Sequence, residues 1–156
     1  YIPLIVLLTA NLWYGVMMNA SPLETLLYVL SMLCIGFLEE MIFRGFLFNA
    51  MVKDGVKSAI IVSSVTFGIG HIVNLLNGAD LIPTLMQICY AAAIGYLFVV
   101  LFYKSKSLIP CIITHCLVNA LSIFNVENAV SLYIAPVFLI SIPLAYGIYL
   151  NKKVVE

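Results

Sequence analysis

Residues 22–52 read PLETLLYVLSMLCIGFLEEMIFRGFLFNAMV, a long apolar run broken from within by two adjacent acids, Glu39 and Glu40, and by Arg44 four residues after the second. The run opens on Ser21-Pro22 with Glu24 close behind. A capping residue, a proline at the first helical position and an early acid together predict a helix start. At about 1.5 Å of rise per residue the helix is long enough to cross the hydrocarbon core of a bilayer. Its charges are then the anomaly. An ionisable group at membrane depth costs at least about 2.5–3.5 kcal/mol on insertion scales, so such groups mark a functional site by default.

The rest of the chain agrees about the solvent. Of its 156 residues 64% are hydrophobic and 9% charged, and the mean hydropathy is +1.16, so the surface faces lipid. Breaks at polar clusters leave six apolar segments, at 1–18, 22–52, 58–76, 81–103, 107–124 and 129–150, each read as a spanning helix. The predicted fold is all-α, a polytopic membrane bundle of about six transmembrane helices forming a single domain over residues 1–156. Short connections make consecutive helices antiparallel. The formal net charge is zero, which removes the basic field that a nucleic-acid partner requires. Cys34, Cys89, Cys111 and Cys116 lie in apolar runs without Cys-x-x-Cys spacing and read as small core residues rather than disulfides or metal ligands. The chain starts at Tyr1 with no basic region ahead of its first apolar run, so that run does not read as a signal peptide, and N-terminal truncation is the expectation.

With six spans, the lysines fall on one side. Lys53 and Lys57 occupy the second connection, Lys104 and Lys106 the fourth, and Lys152 and Lys153 the tail, whereas the opposite connections carry Glu24, Asp80 and Glu127. The positive-inside rule makes the lysine face cytoplasmic, and both termini with it, in a cell membrane for which a bacterial plasma membrane is the expectation.

Counting from those lysines brings the remaining polar groups to one slab. Glu39 lies 14 residues before Lys53 and His71 lies 14 after Lys57, both roughly 21 Å deep along a straight helix. Arg44 and His115 are each nine residues from a lysine and Asn119 is 13 from Lys106, roughly 13–20 Å deep by the same count. Three helices thus contribute to one polar cavity. Glu40 and Arg44 stand at i, i+4, the spacing of a carboxylate–guanidinium pair, and Glu39 is turned about 100° away, free to face the cavity. His115 with Asn119, and Phe67 with His71, repeat the i, i+4 spacing. Read blandly, the acids and Arg44 only fix helix packing, and each histidine only bonds a neighbouring helix.

Three motifs now stand in order: Glu39-Glu40-Met41-Ile42-Phe43-Arg44 as E-E-x-x-x-R, Phe67-Gly68-Ile69-Gly70-His71 as F-x-x-x-H, and His115-Cys116-Leu117-Val118-Asn119 as H-x-x-x-N. Their order and spacing over 39–119 resemble the CAAX-protease and bacteriocin-processing superfamily, the Abi or CPBP proteins, related to type II CAAX prenyl endopeptidases. The resemblance implies an intramembrane glutamate protease acting on a membrane-associated or lipidated peptide. In that scheme Glu39 and His71 activate a water as general base. Glu40 and Arg44 orient Glu39 and balance its charge, and His115 and Asn119 donate to the oxyanion.

Rival readings remain. Glu39, His71 and His115 could be the ligand set of a zinc hydrolase, although no H-E-x-x-H is present and the resemblance implies no cofactor. Ser63, Ser64 and Thr66 precede His71, but without Gly-x-Ser-x-Gly or an aspartate in reach they do not suggest a serine nucleophile. The absence of an inverted repeat speaks against a transporter. A bacteriocin self-immunity protein acting by binding is a further alternative. Gly68 and Gly70 read as sites of close approach, by a neighbouring helix or by a substrate backbone.

Overall fold

The computed structural model describes the backbone of residues 2–126 and 128–155 and, within the last helix, leaves out the side chains of 129–131 and 153–155. Glu127 and the Lys153 side chain, both used in the orientation argument, lie outside the described residues. Among the described residues the six longest α-helices are, in order, α1 Ile2–Thr9, α2 Pro22–Glu40, α3 Val56–Gly70, α4 Leu81–Ser105, α5 Ile109–Leu121 and α6 Ala129–Val155. Among the described residues there is no strand, and the protein is an all-α multi-pass bundle.

The expected start of α2 is present in detail. Ser21 takes extended backbone angles and its Oγ accepts the Glu24 N–H, while the Glu24 carboxylate accepts the Ser21 N–H at 3.0 Å, a complete capping box. The helix does not stop at Glu40. It runs on through a π-helical stretch, Met41–Phe48, and a last turn, Asn49–Met51, making one apolar rod of 30 residues.

Six full crossings were expected, and among the described residues four helical rods are long and apolar enough: Pro22–Met51, Val56–Leu76, Leu81–Ser105 and Leu132–Lys152. The first and fifth segments form shorter apolar helices, Ile2–Leu12 and Ile109–Phe124. At about 1.5 Å per residue the first covers roughly 16 Å, half of the hydrocarbon thickness. The reason lies in its second half. Gly15 turns the chain at φ +117°, and residues beyond it are tied to the fifth connection, with the Met17 N–H donating to the Phe124 carbonyl and Asn19 Nδ2 to the carbonyls of Ile123 and Asn125.

α4 is the central helix. Its Leu97, Phe98, Val99, Val100 and Leu101 are all buried, as befits a helix apolar on every side, and it packs most extensively on α3 and α6. α2 instead packs on α5 and leaves Leu23, Leu26, Leu30, Phe37 and Leu38 exposed, a lipid-facing side. At Gly68 the backbones of α3 and α4 approach so closely that a Cβ would sit 2.7 Å from the Ile88 carbonyl, so this glycine serves helix packing, whereas Gly70 has nothing within 4 Å of its Cβ position. The cysteines divide. Cys111 and Cys116 are buried as expected, but Cys34 and Cys89 are exposed, because the apolar runs that hold them present those faces outward.

The connections sort to two ends of the bundle. Met51, Val52, Val56, Phe102, Tyr103 and Leu150 pack against a cluster of Phe48, Ala59, Ile60, Val99 and Val100, which gathers the lysine-bearing second and fourth connections with the end of α6. At the other end the first connection is bonded to the fifth, as above.

Candidate active site

Glu39 and Glu40 are the last two residues of α2, placed where the backbone opens from i→i+4 to the wider i→i+5 pattern. Such π-helical segments recur at functional sites. Ser63 of α3 donates its hydroxyl to the Phe43 carbonyl within this stretch at 2.9 Å and so anchors the wide turn to the neighbouring helix. Ser64 and Thr66 likewise spend their hydroxyls on backbone carbonyls of their own helix. Arg44 folds back to Glu40, Nη1 to Oε1 at 2.9 Å, and both side chains are completely buried.

α5 brings the next partner. His115 Nδ1 lies 2.8 Å from the same Oε1 of Glu40, and its Nε2 lies 3.4 Å from Oε2 of Glu39. Two neighbouring carboxylates thus receive opposite edges of one imidazole. Glu40 is sealed in, whereas Glu39 keeps 32% of its side chain exposed. With Nδ1 donating to Glu40, the Nε2 edge is the one left for chemistry, an assignment that follows from the hydrogen-bond network.

His71 caps the C-terminal end of α3. Its Nδ1 is 3.1 Å from the Phe67 carbonyl one turn earlier and donates to it, which leaves Nε2 free of that bond. Among the described residues His71 forms no ion pair with either glutamate.

A cavity of about 490 Å³ collects these groups. Glu39, His71, His115 and Asn119 all line it, together with apolar side chains that include Met32, Ile35, Ile94 and Phe98. All six candidate residues are therefore brought together: four on the cavity wall, and Glu40 and Arg44 as a pair behind them. The order expected from helical spacing, with Glu39 inward and Glu40 held by Arg44, is the order found.

Phe67, which the sequence offered only as the partner of His71 in F-x-x-x-H, has a larger place in the site, and further members had no signal in a local pattern. Phe67 is its hub: its ring lies 4.2 Å beneath the Arg44 guanidinium and stands edge-on to His71 at 5.4 Å and His115 at 5.5 Å. This cation–π contact helps hold a guanidinium whose Nε and Nη2 have no hydrogen-bond partner among the described residues. Tyr28 lines the cavity from α2 and meets Ser122 through a 2.8 Å hydroxyl contact, while Asn74, also on the lining, donates to Gln87 at 2.8 Å. These pairs join residues far apart in the chain, so only the fold reveals them. No group of three His, Cys, Asp or Glu side chains among the described residues is placed to hold one metal ion.

A helix bundle with membrane-length apolar rods thus carries one acid, two histidines and an asparagine on the wall of one cavity, with a second acid paired to an arginine behind them. A family model described as Type II CAAX prenyl endopeptidase Rce1-like matches residues 21–121, and the chain belongs to that family, within the CAAX-protease and bacteriocin-processing superfamily. The match begins at the cap of α2 and ends with α5, so it takes in all three motifs. Comparison with curated proteins and with solved structures returns no match.

Proposed function

We propose that the protein is an endopeptidase that hydrolyses a peptide bond of a membrane-associated or lipidated peptide by direct attack of a water molecule, without a metal and without an acyl-enzyme. The observation that carries this reading is the division of labour between adjacent carboxylates: Glu40 is enclosed by Arg44 and His115, and Glu39 alone reaches the cavity.

Glu39 accepts the proton of the attacking water, and His71 positions that water through its free Nε2. Glu40 balances positive charge on His115, so that an Nε2–H can donate toward the tetrahedral oxyanion. Asn119 supplies a second donor. Each such donor is typically worth about 2.7–4 kcal/mol in the transition state. The proton taken by Glu39 then passes to the leaving amine, and the carboxylate is restored. The apolar wall of Met32, Ile35, Ile94 and Phe98 suits a lipid-bearing or hydrophobic residue beside the scissile bond, which is the kind of substrate that the family's description suggests.

The test is cleavage of fluorogenic lipopeptides by protein purified without added metal, measured with and without excess chelator. Undiminished turnover in chelator supports the glutamate mechanism, and loss of turnover that zinc restores overturns it in favour of Glu39, His71 and His115 as ligands. Normal turnover by Glu39→Ala overturns both.

A further inference from the structure

A second cavity, of about 630 Å³, adjoins the first at the end of the bundle away from the lysines. Asn11, Gln87 and Tyr90 line both, so the two cavities are neighbours that meet at these three side chains. The outer part is bordered by neutral hydrogen-bonding groups, among them Tyr14 and Asn125. It contains one charged side chain, Asp80.

Asp80 is not consumed by the fold. It occupies the cap position of α4, yet its carboxylate makes no capping bond, and it is its backbone carbonyl that accepts from the N–H and the hydroxyl of Thr84. Among the described residues it has no ion pair, and neither lysine nor arginine lines either cavity. Asp80 is therefore the one carboxylate of the outer cavity, and Glu39 lies on the wall of the inner one. An extended peptide finds amides to bond along the way, a basic side chain finds a counter-charge at the mouth, and an acidic side chain or a free terminal carboxylate finds repulsion.

We propose that this vestibule is a substrate subsite, and that Asp80 selects peptides carrying lysine or arginine on the flank that lies in it, so that cleavage is internal to the chain rather than next to a free carboxylate. The proposal rests on the proteolytic reading above but is measured separately from it. Fluorescent peptides identical except for one scanned position, bearing lysine, glutamine or glutamate, are titrated by anisotropy against Glu39→Ala protein in uncharged detergent, with Asp80 intact and with Asp80→Asn or Asp80→Lys added. The lysine peptide should bind about twofold to fivefold more tightly than the glutamate peptide at low ionic strength, the range expected of a solvent-exposed ion pair. Asp80→Asn should erase the preference and Asp80→Lys should invert it, and kcat/KM of protein with intact Glu39 should follow the same order. Thermal unfolding shows that each variant is folded; the Thr84 bonds go to backbone and survive substitution. Binding and cleavage indifferent to peptide charge in all three proteins overturn the vestibule and leave the protease standing. Charge-ordered binding without cleavage of any peptide supports the vestibule and overturns the protease.

Discussion

His115 Nδ1 and Arg44 Nη1 meet on a single oxygen of Glu40, at 2.8 and 2.9 Å, so that one buried carboxylate ties α5 to the π-helical continuation of α2. That junction explains how two consecutive glutamates come to differ. A turn of about 100° between neighbours sends one side chain into the protein and the other into the cavity. It also makes Glu40 and Arg44 dependent on each other, since each is a fully buried charge.

Arg44→Ala should therefore damage stability as well as activity. It strands Glu40 without its guanidinium, and breaking a fully buried pair typically costs about 3–5 kcal/mol. Arg44→Lys should recover only part of the loss, because a lysine lacks the planar group that lies against Phe67 at 4.2 Å. Thermal unfolding of the purified variants in detergent checks both; an Arg44→Ala protein as stable as the parent overturns this account.

How far the sequence reaches is clear from these residues. Periodicity and charge placed Glu39, Arg44, His71, His115 and Asn119 at a common depth on three helices, and that suffices to bring them to one cavity. The capping box at Ser21 was readable for the same reason, being purely local. Phe67 as the hub beneath Arg44 was not, since its contacts come from three other parts of the chain. The π-helical stretch was invisible because Met41–Phe48 has an ordinary helical composition, and its anchor, Ser63, is 20 residues from Phe43. The length of the first segment was misread because apolar composition continues past Gly15 while the backbone does not.

Loss of the proposed water-activating groups should separate binding from turnover. Glu39→Ala and His71→Ala should abolish cleavage while leaving peptide affinity nearly intact, because their contacts act mainly in the transition state. Asn119→Ala should retain a residual rate about 10²–10³ below the parent, the usual consequence of losing one oxyanion donor. Single-turnover rates beside anisotropy titrations make the distinction. An Asn119→Ala enzyme at full rate removes Asn119 from the mechanism.

The glycines beside His71 offer a contrast. Gly68→Ala places a methyl 2.7 Å from both the Ile88 carbonyl and the Ala92 Cβ, which α3 and α4 can accept only by separating. Overpacking of this kind typically costs about 1–3 kcal/mol. Gly95→Ala presses on Phe67 at 3.0 Å and Arg44 Nη2 at 3.2 Å, so it should lower turnover by displacing the guanidinium that supports Glu40. Gly70→Ala meets nothing and should leave stability unchanged or raise it by up to about 1 kcal/mol, the helix-propensity difference. Equal melting temperatures for Gly68→Ala and Gly70→Ala would contradict the packing argument.

Orientation in the membrane follows from where the lysines gather. Packing against the cluster of Phe48, Ala59, Ile60, Val99 and Val100 draws the second and fourth connections and the end of α6 together, and these carry Lys53, Lys57, Lys104, Lys106 and Lys152. The opposite end carries Glu24 and Asp80 and the vestibule. By the positive-inside rule we propose that the lysine end is cytoplasmic and that peptides reach Asp80 from the other side. Cysteines introduced at Asn77 and at Lys104 report on the two ends, in a background where the exposed Cys34 and Cys89 have been replaced. A membrane-impermeant maleimide added to intact cells should label position 77 and spare position 104, with the pattern completed on both sides after lysis. Labelling of both positions from the same side contradicts the arrangement, and labelling of 104 alone inverts it, which would place the vestibule and its substrates in the cytoplasm.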